Sequence, residues 1–173
     1  MDTMPLNRES VHEPMADERK LRHVCGHFPT GVAVVTSSAQ YGPVGLTVNS
    51  FASVSLDPPL VLFCIHERSS VWRTIDETAA FVVNILAEDQ ADLCRRFARR
   101  ASATFDGLRV RTGRGGAPIL ADSLAYLDCA VASRHRGGDH WIVVGAVRDV
   151  GVLRDGAPLT FFRSGHPRLE AIA

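Results

Sequence analysis

The sequence predicts a mainly β fold: a closed antiparallel barrel with peripheral helices. Three observations carry this. Short apolar, β-branched runs recur from Gly31 to Phe162. They do not alternate strictly with helical patterns, which excludes a doubly wound parallel sheet. Two long strand patterns are joined by Arg136-Gly137-Gly138-Asp139, a strong hairpin signal. At 173 residues the chain can close a sizeable core without metal or disulfide staples. We expect an N-terminal arm over 1–15, polar, with Pro5 and Pro14, and mobile. One domain is expected over 16–173.

Asp17 reads as an N-cap. Leu21, Val24, Cys25 and Phe28 follow at i, i+3, i+4 and i+7, one face of a helix that Pro29 ends. Gly31–Thr36 (GVAVVT) is a strand buried on both sides, and Gly42-Pro43 marks a turn over 38–43. Val44–Phe51 alternates, with Val44, Leu46 and Val48 on one side and Gly45, Thr47 and Asn49 on the other. Asp57-Pro58-Pro59 breaks the chain before a buried strand, Leu60–Ile65. Ser69 or Ser70 caps a short helix through Val71, Trp72 and Ile75. Ala80–Leu86 is a strand. A helix runs from about Asp89 to Arg100, with Leu93, Cys94 and Phe97 as its stripe and charges placed to suit its dipole. Residues 101–123 read as irregular. Leu124–His135 and His140–Val152 form the long hairpin, and Pro158–Phe162 a last short strand.

Composition narrows the function classes. Lys+Arg and Asp+Glu are both 19, giving zero formal charge, so neither nucleic acid nor an anionic membrane is the expected partner. No apolar run reaches the length of a membrane span and the start carries no signal-peptide core, so the expected location is cytoplasmic. Cys25, Cys64, Cys94 and Cys129 have no CxxC spacing and read as buried free thiols. The seven histidines form no ligand spacing, so no metal is expected. GxGxxG, GxxxxGK[ST] and GxSxG are all missing. Asp139 and His140 suggest a triad fragment, but neighbours on one strand point to opposite faces.

Three spots could carry chemistry. In GLTVNSFASVS (45–55), taken as one extended piece, Thr47, Asn49, Phe51, Ser53 and Ser55 share parity. That is a solvated strand side, a Ser/Thr-rich loop, or a donor-rich face suited to a flat heteroaromatic ring such as a flavin. Gly138-Asp139-His140 lies at a hairpin end, where His140 is either structural or a ligand contact and Asp139 is of a type that bonds nearby turn backbone. Arg95, Arg96, Arg99 and Arg100 form a solvated helix face or a phosphate site.

Beyond these readings, the order FPTGVAVVT (28–36), GLTVNSFASVSLDPPLVLFC (45–64), Ser69, FVVNIL (81–86), Gln90…Leu93…Phe97-Ala98, PIL (118–120), LDC (127–129) and GDHWIVVGAV (138–147) resembles the flavin reductase family, small NAD(P)H:flavin oxidoreductases of two-component monooxygenases. The resemblance runs from about residue 20 to 169. Thr104 stands where many relatives carry a basic residue, and Gly165-His166-Pro167 stands where many carry a Gly-x-Tyr-like motif.

The resemblance implies an FMN-binding split barrel, Greek-key-like, working as a homodimer. It implies FAD or FMN at Thr30, Thr47, Val48, Asn49, Ser50, Ser53, Val54, Ser55, Cys64 and Ser69, with Phe97, Ala98 and Arg99 near the flavin tail. NADH or NADPH is implied at Gly138, Asp139 and His140, with His166 nearby and His140 positioning the nicotinamide. Hydride passes to the flavin, and reduced flavin goes to a partner monooxygenase. The alternatives are a protein that uses its bound FMN for oxygen chemistry or electron carriage, and a non-enzymatic barrel module. GVAVVT and LVLFCI hold more apolar strand surface than one small barrel is expected to hide, which also predicts a dimer.

Overall fold

A computed structural model describes residues 17–99 and 104–169. The expected arm over 1–15, and Arg100, lie outside the described residues. Asp17 caps α1 (Glu18–Cys25), its carboxylate accepting the Arg19 N–H at 2.8 Å. The helix stops at Gly26, three residues before Pro29. Its apolar face is bare: Leu21 is 54%, Val24 66% and Phe28 74% exposed.

The strands are β1 (Thr30–Gly31), β2 (Ala33–Ala39), β3 (Gly42–Val48), β4 (Ala52–Leu56), β5 (Pro59–His66), β6 (Ala80–Ile85), β7 (Val110–Thr112), β8 (Pro118–Leu120), β9 (Ala125–Gly137), β10 (His140–Val152) and β11 (Thr160–Phe161). Helix α2 (Ser70–Thr78) follows β5. A 3₁₀ turn (Glu88–Gln90) leads into α3 (Ala91–Ala98), so that helix is shorter than its periodicity implied. The segment 101–123 was expected to be irregular, yet it contains β7 and β8, which pair antiparallel. The turn expected over 38–43 is only Gln40-Tyr41, because β2 and β3 pair out to Ala39 and Gly42.

Seven strands form one antiparallel sheet in the order β3-β2-β6-β9-β10-β5-β4. Its two edge strands, β3 and β4, are consecutive in sequence and joined by residues 49–51. The stretch 45–55 is therefore not one extended piece, and its shared parity does not make one face. Ser50 closes the ring: its hydroxyl accepts the Cys64 N–H at 2.9 Å and donates to the Cys64 carbonyl at 3.3 Å, tying the bend to β5. This is the split barrel that the resemblance implied.

Inside it, Val35, Phe63, Phe81, Val83 and Val143 pack with Trp72 and Ile75 of α2. Phe63 and Phe81 meet edge to face at 5.1 Å. A second cluster sits under α3, where Cys94 and Phe97 cover Val32, Val34, Leu86 and Leu120. Asn84 is buried between the two: its amide donates to the Val34 carbonyl and the Thr36 hydroxyl, and its carbonyl accepts from Leu120 N–H. The runs GVAVVT and LVLFCI are consumed largely inside this wall, with Val32, Val34, Val61, Phe63 and Ile65 buried. On the alternate face of LVLFCI, Leu60, Leu62 and Cys64 are half-buried. Exposed apolar side chains lie at α1, at Leu56 of β4 and at Val150 and Val152 of β10. Cys94 and Cys129 are buried as expected, Cys64 is half-buried, and Cys25 is exposed. Among the described residues no helix is long and apolar enough to cross a membrane, and no three potential ligand side chains converge on a metal position.

Candidate functional site

A cleft of about 480 Å³ opens between β3, the β5–α2 junction and the C-terminal end of α3. Each wall has a local cause. Val44 and Leu46 give β3 an apolar flank. Gly45 between them is buried, and a Cβ there would lie 2.8 Å from the Phe97 ring, so only glycine lets α3 seat this close to β3. Thr47 fixes the same contact by donating its hydroxyl to the Cys94 carbonyl at 2.7 Å. Burial pushes the Cys94 thiol up and pushes Cys129 to about 12, so both are packed, protonated thiols.

The opposite wall is polar and cationic. Ser69 is the N-cap of α2, but its side chain makes no cap bond, so the first-turn N–H groups keep their donor capacity toward the cleft. Arg68 and Arg99 flank it. Among the described residues neither has a carboxylate partner. Their cluster neighbours do have partners: Arg95 pairs with Asp92, and Arg96 donates to the Asp106 carbonyl at 3.1 Å. Of the four arginines read as one patch, only Arg99 reaches this cleft, and Arg100 lies outside the described residues.

His66 lines the rim, at the end of β5. It sits opposite His140, the first residue of β10, and the two rings meet edge to face at 5.2 Å. Gly138 and Asp139 form the two-residue turn before His140. Gly138 takes φ 65°, which a side-chain-bearing residue rarely adopts. The Asp139 carboxylate bonds more than turn backbone. It lies 2.7 Å from His140 Nδ1 and 3.6 Å from His66 Nε2. The hydrogen bond from His140, aided by its own backbone N–H, holds its carboxyl below the usual range. Asp139 and His140 therefore touch, although strand alternation predicted opposite faces, because Asp139 belongs to the turn and not to the strand. The His140 side chain is 44% exposed, so it is not the packed core residue its parity with Ile142 allowed.

The structure thus brings together Thr47, Ser69, Phe97, Ala98 and Arg99, with Gly138, Asp139 and His140 next to the rim. It does not bring the rest to the cleft wall. Val48 is buried in the core. Asn49 is exposed at the bend and Ser50 is spent on Cys64. Ser53, Val54 and Ser55 lie on edge strand β4, where the Ser55 hydroxyl accepts from Asp57 N–H. Cys64 pairs across to Ile142. Thr30 and His166 lie at the β1–β11 end, where the buried Thr30 hydroxyl has no partner among the described residues and His166 Nδ1 is 2.7 Å from the Thr160 carbonyl. Sequence reasoning named Cys64 and Ser69 but did not single out His66 and Arg68 between them. The only available signal was their place directly after a buried strand and before a capping serine.

An apolar wall facing a helix N-terminus and two unpaired cations fits a flat ring carrying a phosphate tail. The comparisons agree with that chemistry. Residues 25–170 match a family described as flavin reductase like domain. The chain is 42% identical to the reductase subunit HsaB of a flavin-dependent monooxygenase from Rhodococcus jostii, covering 89% of this chain and 79% of that protein. It is 41% identical to the NADH-dependent FMN reductase SmoA of Agrobacterium fabrum, covering 93% and 92%. A structure of the NADH:FAD oxidoreductase SgcE6 of Streptomyces globisporus, in complex with NAD and FAD fragments, superposes with TM-score 0.86 at 36% identity, covering 91% of this chain and 95% of that one.

Proposed function

Because the chain belongs to the flavin reductase-like domain family, we propose that it is an NADH-dependent flavin reductase whose reduced flavin serves a partner monooxygenase. The observation that carries this reading is the cleft, in which an apolar wall faces the open N-terminus of α2 and two unpaired arginines. A bound flavin supplies the hydride acceptor and a nicotinamide the hydride. The protein's part is positioning and exclusion of water. Leu46 and Phe97 hold the ring side, while Arg68, Arg99 and the first turn of α2 hold the phosphate. Asn49 is not part of the cleft wall but is exposed at the bend two residues beyond Thr47, and on this reading the ring extends past the wall to meet its amide. Val48 and Ser50 contribute backbone groups rather than side chains. His140 orients the nicotinamide at the rim and abstracts no proton.

The match over 25–170 supports one domain across the region expected at 16–173. A homodimer is supported by the bare face of α1, where Leu21, Val24 and Phe28 require cover. Dependence on NADH supports a cytoplasmic site of action.

The test is NADH oxidation with FAD, FMN and riboflavin as added acceptors. The reading expects oxidation that requires flavin. Flavin retained through gel filtration with no NADH oxidation would favour a carrier instead, and neither binding nor oxidation would favour a plain barrel module. His140→Ala should bind oxidised flavin normally while NADH KM rises or hydride transfer slows tenfold or more, about 1.4 kcal/mol of lost transition-state stabilisation. A variant with wild-type reduction kinetics and a lowered melting point would make His140 a packing residue.

A further inference from the structure

The cluster at the rim specifies more than a nicotinamide contact. Each of the two histidines has one ring nitrogen whose hydrogen-bond partner dictates where the proton sits. Backbone N–H of Arg68 donates to His66 Nδ1 at 3.0 Å, so that nitrogen is the acceptor. The His66 proton is then on Nε2, which faces Asp139 Oδ2 at 3.6 Å. Asp139 Oδ1 lies 2.7 Å from His140 Nδ1. An ionised carboxylate only accepts, so His140 carries its proton on Nδ1. The turn itself is anchored, because Glu67 N–H donates to the Asp139 carbonyl at 3.0 Å. Glu67's own carboxylate faces Arg136 at 3.5 Å, away from the pair. One valence is left over, the lone pair on His140 Nε2.

We propose that Asp139 and His66 are positioning residues that lock His140 in the Nδ1–H tautomer, presenting Nε2 as a hydrogen-bond acceptor at the rim. Such an acceptor matches an amide N–H donor, which the carboxamide of a reduced nicotinamide provides. This rests on the flavin reductase reading for the identity of the donor, but the tautomer itself does not. His66 acts through Asp139: its Nε2–H keeps the carboxylate between the rings, and its edge limits rotation of His140.

The direct test is ¹⁵N NMR of histidine-labelled protein without ligand, which distinguishes protonated from unprotonated ring nitrogens. The expected spectrum above the histidine titration range has His140 protonated on Nδ1 and His66 on Nε2. A His140 protonated mainly on Nε2 would overturn the proposal. Asp139→Asn, whose amide can donate to Nδ1, should move the His140 proton to Nε2. It should raise NADH KM about tenfold and leave the Kd for oxidised flavin within about twofold. Unchanged tautomer and unchanged KM in that variant would also overturn it. His66→Gln keeps an acceptor for Arg68 N–H and a donor for Asp139, so it should retain wild-type NADH KM. His66→Leu should raise it about threefold; equal values for the two variants would remove His66 from the proposal. The wild-type spectrum needs no variant to fold and no turnover. Absence of NADH oxidation in the wild type would instead overturn the functional reading.

Discussion

Two of the clefts that border α3 differ in what their polar groups are already doing. The larger, of about 480 Å³, is bounded by β3 and the start of α2. The smaller, of about 250 Å³, lies on the other side among Asp89, Gln90, Leu93, Arg109 and Asp122. In the smaller cleft the charges are spent. Asp89 pairs with Arg154, Arg109 with Asp122 and Asp92 with Arg95. Gln90 bonds both the Ala87 N–H and the Asp122 carbonyl. In the larger cleft, Arg68, Arg99 and the first turn of α2 have no such internal partners among the described residues. A ligand entering the first gains hydrogen bonds the fold left unmade, whereas one entering the second must break existing pairs. Unspent polar capacity, more than volume, marks the site.

The largest effect expected from breaking this contrast is at Gly45. In Gly45→Val the new side chain meets the buried Phe97 ring and drives α3 off β3. Overpacking of this kind costs about 1–3 kcal/mol, or roughly 2–12 °C in melting temperature for a chain this size. Flavin affinity should fall at least tenfold with it, as calorimetry and a flavin titration on the same sample would read. Wild-type affinity in that variant would place the flavin elsewhere.

Next comes Asn49. Replacement by leucine leaves a ring donor or acceptor unpaired, a loss of roughly 1–3 kcal/mol. That corresponds to about 5- to 150-fold in flavin Kd. Since Asn49 is exposed and outside both barrel cores, the melting temperature should hold. Unchanged affinity would remove Asn49 from the site.

The smallest effect belongs to the other cleft. The hydrogen bond from Arg154 holds the Asp89 carboxyl below the usual carboxylate range. A carboxylate depressed in the folded state adds stability above its unfolded pKa and loses it as pH falls through the folded value. Asp89→Asn should therefore lower the melting temperature at pH 7 by no more than about 3 °C, since exposed pairs contribute ~0.2–1 kcal/mol. The difference should vanish at strongly acid pH, and flavin binding should not change. A pH-independent difference would mean the ion pair is not its source.

Much of this contrast was legible in the sequence, and the exceptions are instructive. Periodicity located the β2, β5, β6, β9 and β10 patterns, because buried strands need continuous apolar runs. It could not see that Val48 and Ala52 lie on opposite edges of one sheet. Parity along a chain says nothing once a bend intervenes, so the polar face at 45–55 dissolved into separate roles: Thr47 on α3, Ser50 on β5, Ser55 on its own turn. The apolar stripe of α1 was legible as a stripe, but amphipathicity does not name the surface that covers it, and the stripe is bare. His66 escaped because a single histidine after an apolar run has no local signature. Its role comes from the register that sets it opposite His140. Arg68 and Arg99 gained meaning only when pairing removed Arg95 and Arg96 from the cluster.

The central claim, that Arg68 and Arg99 with the start of α2 hold a flavin phosphate, is tested most directly by comparing FMN with riboflavin, which share a ring and differ in the phosphate. Equilibrium titrations at low salt should give wild-type protein at least a tenfold preference for FMN. In Arg68→Gln/Arg99→Gln that preference should collapse toward one through loss of FMN affinity alone, while Arg109→Gln in the second cleft should keep it. Equal wild-type affinity for the two flavins, or a preference that survives in the double variant, would contradict the account.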